Sequence, residues 1–210
     1  MNSNSENVSR KSGRWAISSA RNGGKDLPGW PVCFALLALV AFAGIASAQS
    51  RAMPRAASVL QPQAYVSLQP VPRGKTFEVA MVAKITPGFH VNAHIPSEEY
   101  LIPTNVTAKL PAGIVLLNTA YPPGVMRTLH FSKTALRVYD GTFTVRMKLR
   151  VAGAAPIGTK KIALTIAYQA CNEDACLPPT TLPATAELEI AAAGTPAHPA
   201  NANIFTPARP

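Results

Sequence analysis

Thr142-Phe143-Thr144-Val145-Arg146-Met147-Lys148-Leu149-Arg150-Val151 follows the pair Asp140-Gly141. In an extended chain successive side chains point to opposite faces, so Phe143, Val145, Met147, Leu149 and Val151 share one side. Thr142, Thr144, Arg146, Lys148 and Arg150 share the other. This is a strand with one wet face and one buried face. Asp140-Gly141 before it reads as a hairpin turn joining a segment at 134–139 to the strand at 142–151.

The same period of two recurs on both sides. Phe77, Val79, Met81, Ala83 and Ile85 alternate with Glu78, Ala80, Val82 and Lys84, while Ile162, Leu164, Ile166 and Tyr168 form a third run and Thr185 to Ile190 a last one. Shorter candidates lie at 64–69, 89–93, 104–110 and 114–119. No segment carries a sustained 3.6-residue period with caps at both ends. About eight short strands separated by Pro and Gly turns predict an all-β fold, an immunoglobulin-like antiparallel β-sandwich.

The ends of the chain read differently. Arg10, Lys11, Arg14, Arg21 and Lys25 precede an apolar run from Pro31 to Ile45, which meets Ala46-Ser47-Ala48. A basic stretch, a short apolar core and a small-x-small site make a secretory signal peptide over residues 1–48, with an uncleaved anchor as the alternative. The run is too short to span easily, since its 15 residues cover about 22 Å as a helix against roughly 30 Å of hydrocarbon. Cys33 stands at the front of the run, where a lipoprotein cysteine would not be. Residues 49–61 read as a linker, 62–190 as the domain, and 191–210 as a disordered Pro/Ala-rich tail.

The net charge is +10, and loss of residues 1–48, with five basic and two acidic side chains, leaves +7. That charge is scattered in ones and twos without aromatic interleaving, so there is no nucleic-acid footprint. No G-x-S-x-G turn, H-E-x-x-H helix or phosphate-cradling glycine loop points to a hydrolase or nucleotide enzyme. No cofactor is expected.

Tyr168-Gln169-Ala170-Cys171-Asn172-Glu173-Asp174-Ala175-Cys176-Leu177-Pro178-Pro179 is the unusual stretch. Export leaves Cys171 and Cys176 as an even pair in an oxidising compartment. Both belong to the connection between two strands. A bridge between them would close only six residues, worth about 2 kcal/mol by loop entropy against roughly 4 for one closing some 60 residues. It would be a poor staple, and it cannot join two sheets as an immunoglobulin disulfide does. A zinc site is disfavoured, because a tetrahedral site wants four N or S ligands and His90 and His94 would sit about 13 Å apart along a strand. No metal ligands are assigned, and these histidines read as strand or turn residues. Glu173 and Asp174 between the thiols disfavour a thiolate, so neither cysteine should be an aggressive nucleophile alone. The spacing by itself leaves two readings open, an inert clip on a hairpin and a redox-active pair.

Tyr168-Gln169-x-Cys171-x4-Cys176-x-Pro178-Pro179, with Pro87-Gly88-Phe89-His90-Val91-Asn92, Leu101-Ile102-Pro103-Thr104 and Tyr121-Pro122-Pro123-Gly124 upstream in order, resembles the N-terminal periplasmic domain of the thiol:disulfide interchange protein DsbD. The resemblance covers about residues 62–190. It implies a periplasmic immunoglobulin-like domain that accepts electrons from a thioredoxin-like or membrane thiol-transport partner. These pass to oxidised client proteins, a thiol-disulfide oxidoreductase activity of the protein-disulfide reductase type. By the resemblance Cys176 forms the mixed disulfide and Cys171 resolves it, flanked by Tyr168, Gln169 and Pro178. The family shields its disulfide with an aromatic cap loop, for which Tyr121, Pro122 and Pro123 are the nearest match. The alternative is a non-catalytic immunoglobulin-like binding module whose hairpin disulfide is structural.

Overall fold

The structure, a computed structural model, describes residues 53–206. The signal segment expected over 1–48, with Cys33, lies outside them. In chain order the strands are β1 Leu60–Val66, β2 Leu68–Gln69, β3 Val71–Pro72, β4 Thr76–Ile85, β5 His90–Asn92, β6 Asn105–Lys109 and β7 Ile114–Ala120. They continue as β8 Val125–Arg127, β9 Leu136–Tyr139, β10 Thr142–Val151, β11 Gly158–Tyr168, β12 Ala170–Cys171, β13 Thr180–Ala191 and β14 His198–Pro199, followed by one short helix, α1 Ala202–Phe205.

Two four-stranded sheets, ordered β1-β4-β10-β7 and β3-β13-β11-β6, form an immunoglobulin-like β-sandwich. All their pairings are antiparallel except β3 with β13, which is parallel. The alternation read from the sequence sets the faces. Phe143, Val145, Met147, Leu149 and Val151 of β10 are buried, as are Ile162, Leu164, Ile166 and Tyr168 of β11. They join Phe77, Val79 and Met81 of β4 and Ala186, Leu188 and Ile190 of β13 in one apolar core. Burial of these side chains at about 25 cal/mol per Å² is the main force holding the layers together.

A third, smaller sheet, ordered β12-β5-β9-β8, carries the cysteine hairpin. Its strands have two to four residues, and its own small cluster of Leu101, Leu129, Leu136 and Val138 packs beneath a loop.

Three expectations need correction. Asp140-Gly141 does not close a hairpin, because β9 pairs with β5 and β8 while β10 pairs with β4 and β7. The pair instead carries the chain from one sheet to another. Gly141 takes φ 60°, a left-handed conformation that favours glycine, and its carbonyl accepts from the Ile85 N–H at 2.7 Å. The linker boundary also moves: Val59 and Leu60 are 1 % and 2 % exposed, so the domain starts before residue 62.

The expected disordered tail is folded as far as the described residues reach. β14 pairs with β2, the Asn201 side chain donates to the Val66 carbonyl at 2.9 Å, and Arg146 donates to the Ile204 and Phe205 carbonyls at 2.6 and 3.1 Å. The Arg146 guanidinium also lies 5.8 Å from the centre of the Phe205 ring. The prolines do exclude long regular structure, but side-chain anchors replace the ladder.

Candidate functional site

Tyr168 ends β11 inside the core, and its hydroxyl donates to the Ala56 carbonyl at 2.7 Å. Burial pushes that hydroxyl up to about 12. From this fixed point the chain turns into a tight hairpin. The Leu177 N–H donates to the Ala170 carbonyl at 2.8 Å and the Asn172 N–H to the Ala175 carbonyl at 2.9 Å. The Asn172 side-chain oxygen accepts from the Asp174 and Ala175 amides at 2.9 and 2.8 Å, an arrangement that suits Asn to a turn. Gln169 helps close the base, its side-chain nitrogen donating to the Leu177 carbonyl at 3.3 Å.

This folding places Cys171 opposite Cys176 in a β-bridge. The two are joined by a disulfide, with their Cα atoms 3.9 Å apart. The pair is asymmetric: Cys171 is 1 % exposed, whereas Cys176 is exposed. A partner arriving from solvent meets Cys176. Pro178, two residues on, is exposed beside it.

On its inner side Cys171 pairs in register with His90 of β5. Side chains of directly opposed residues lie on the same face with Cβ atoms about 4.5–5.5 Å apart, so His90, Cys171 and Cys176 form a row. His90 is 5 % exposed, and its Nε2 is buried without a hydrogen-bond partner among the described residues. Burial lowers its pKa below the ordinary histidine range; the Glu173 carboxylate opposes this, Arg127 adds to it and Asp140 opposes it. All four line a cleft of about 420 Å³ with Pro87, Gly88 and Phe89. The Arg127 guanidinium is held by Asp140, through Nε at 3.0 Å and a second contact from its Nη2.

On its outer side the hairpin tip is gripped by the segment after β8. The His130 N–H donates to the Glu173 carbonyl at 3.1 Å, and the His130 ring Nδ1 lies 3.2 Å from an Asp174 carboxylate oxygen. Leu129 is buried, and Phe131, next in the chain to His130, is exposed.

The Tyr121-Pro122-Pro123 turn, expected to be the cap, has other partners. The Tyr121 ring stacks on His94 with centroids 3.6 Å apart; its hydroxyl accepts from the Val106 N–H at 2.8 Å and donates to Asn105 at 3.1 Å. The Pro122 carbonyl accepts from Tyr139 at 3.2 Å. With Ile95, Met126 and Arg137 this turn lines a separate cleft of about 610 Å³. Two prolines stiffen the turn and the Tyr121 hydroxyl ties it to β6, whereas His130 is bonded to the tip of the cysteine hairpin. The sequence reading took His90 for a strand or turn residue without joining it to the cysteines, and assigned neither His130 nor Arg127 to the site. An aromatic pair, His130-Phe131, inside a polar loop was the available signal for the second; nothing local marks His90 as a neighbour of Cys171, 81 residues away.

The structure is thus a sandwich of immunoglobulin type presenting one solvent-reachable disulfide on a short hairpin. The family model described as thiol:disulfide interchange protein DsbD, N-terminal, matches residues 56–187, and the chain belongs to that family. No curated protein matches the chain. Among solved structures, the DsbD N-terminal domain of Neisseria meningitidis in its reduced form is 17 % identical, with 70 % of this chain and 94 % of that chain covered and a TM-score of 0.36. The N-terminal periplasmic domain of ScsB from Proteus mirabilis is 8 % identical, with 60 % and 43 % covered and a TM-score of 0.40. Membership in the family and the Cys171–Cys176 disulfide together fit thiol-disulfide exchange.

Proposed function

We propose that this domain is a periplasmic electron carrier whose Cys171–Cys176 pair cycles between disulfide and dithiol. Electrons come from a thioredoxin-like or membrane thiol-transport protein and go to oxidised client proteins. The observation that carries this reading is the asymmetry of the pair, with Cys176 open to solvent and Cys171 buried behind it in a ring too small to staple the fold.

The chemistry balances in two steps. A donor thiolate attacks the Cys176 Sγ, the Cys171–Cys176 bond breaks, and Cys171 leaves with an electron pair and takes up a proton. The donor's second thiolate then attacks its own sulfur in the mixed disulfide, leaving the donor oxidised and Cys176 as a thiolate that also takes up a proton. Delivery to a client runs in reverse: Cys176 attacks the client disulfide, and Cys171 closes the ring to release the client.

Trapping tests the assignment of roles. Cys171→Ser should accumulate a mixed disulfide through Cys176 when mixed with a thioredoxin-type protein that lacks its resolving cysteine and carries its other cysteine as an aromatic mixed disulfide, and Cys176→Ser should not. A Cys171→Ser variant that captures nothing defeats the reading in favour of a structural clip. A clip would also show a reduction potential below about −300 mV.

A further inference from the structure

Cys171 must part with a proton each time it closes the ring. Buried thiols ionise above their ordinary value of about 8.5, and Cys171 is 1 % exposed. Solvent is therefore a poor base for it. The side chain paired with it in register is His90, whose buried Nε2 has no partner among the described residues while the residue lines a cleft. An unpartnered buried nitrogen costs stability, so its place on the residue paired in register with Cys171 calls for a role.

We propose that His90 is the proton-exchange partner of Cys171. This rests on the exchange reading above and assigns a further residue to it. In the mixed-disulfide state the Cys171 thiol passes its proton to the neutral His90 imidazole. The Cys171 thiolate attacks the Cys176 Sγ, the ring disulfide forms, and the Cys176–client bond breaks. The client sulfur leaves as a thiolate and takes up a proton, and the imidazolium returns its proton to water through the cleft. In the opposite direction the imidazole takes a proton from water through the cleft and passes it to Cys171 as it leaves, so the buried site never holds an unpaired thiolate.

The groups facing His90 suit both directions. Its β-sheet neighbour on one side is Cys171; around the cleft stand Arg127 from β8, Asp140 after β9 and Glu173 from the hairpin tip. Burial, the largest influence, keeps the ring neutral at pH 7, while the Glu173 and Asp140 carboxylates hold an imidazolium within reach. Arg127 is occupied by Asp140.

A coloured-thiolate assay separates the steps. Reduced domain mixed with an aromatic disulfide reagent should release one thiolate as Cys176 is captured and a second as Cys171 closes the ring. In His90→Gln the first phase should be unchanged. The second should slow about tenfold or more at pH 7, the scale of a general base. The wild-type second phase should already be level at pH 7, whereas the variant's should keep rising through about pH 9 as Cys171 ionises alone. Equal second phases with the same pH profile overturn the proposal while leaving the carrier reading intact. Absence of any first phase in wild type defeats the carrier reading itself. If His90→Gln does not fold, the ring-proton resonances of His90 in the wild-type protein decide: the titration should differ between disulfide and dithiol forms, and identical curves overturn the proposal.

Discussion

Tyr168 sits at the junction of core and hairpin, and its hydroxyl, raised to about 12 by burial, is a stability term with a defined pH window. In the unfolded chain a tyrosine ionises near pH 10. Between those values the unfolded state has lost a proton that the folded state keeps. The contribution is therefore fully present below pH 10 and disappears as the pH rises to about 12, by roughly 2–3 kcal/mol. Tyr168→Phe should flatten this decline in urea unfolding followed from about pH 9 to 11.5, at the expense of about 1 kcal/mol at neutral pH for the lost bond to Ala56. A variant declining as steeply as wild type would show that the hydroxyl does not set the window. The two cysteines, Tyr168 and Gln169 were legible at this scale because they are adjacent in the chain. His90 was not, since the β5–β12 pairing that brings it to Cys171 leaves no trace in the local pattern of either segment.

At the scale of elements, long strands announced themselves by their period, and of the shortest ones β5 fell within the candidate at 89–93 while β8 and β12 left no signal. β4, β10 and β11 have ten or eleven residues, enough for a period of two to show. β5, β8 and β12 have three, three and two, and what holds them is neighbouring strands and the loop cluster around Leu129 and Leu136. The Asp140-Gly141 signal was real as a turn but silent about which sheet the next strand joins. The C-terminal segment was misread because its order depends on a distant side chain. Arg146→Ala should release α1, whose last carbonyls it binds; limited proteolysis should then cut within 200–206 at least several-fold faster, with the core intact. Unchanged cleavage would mean that the β2–β14 pairing and Asn201 suffice.

For the whole molecule, the Cys171–Cys176 bond closes too small a ring to be what keeps the chain folded. Reducing the Cys171–Cys176 bond should lower the unfolding free energy by only about 2 kcal/mol, against about 2–5 for Leu188→Ala in the shared core. Chemical denaturation of the disulfide and dithiol forms measures this directly, and a much larger loss on reduction would make the bond a staple. The proposed exchange needs both forms folded, and a six-residue ring whose opening costs so little allows that.

The parallel pairing of β3 with β13, Val71 opposite Ile190, has a consequence for the order of events as the chain matures. The second layer of the sandwich cannot close until nearly its last strand is available, and contacts so far apart in sequence form slowly. The six-residue ring has no such wait, because Cys171 and Cys176 meet within a single turn. Oxidation is thus uncoupled from the slow topological search, and oxidised and reduced chains face the same route to the native state.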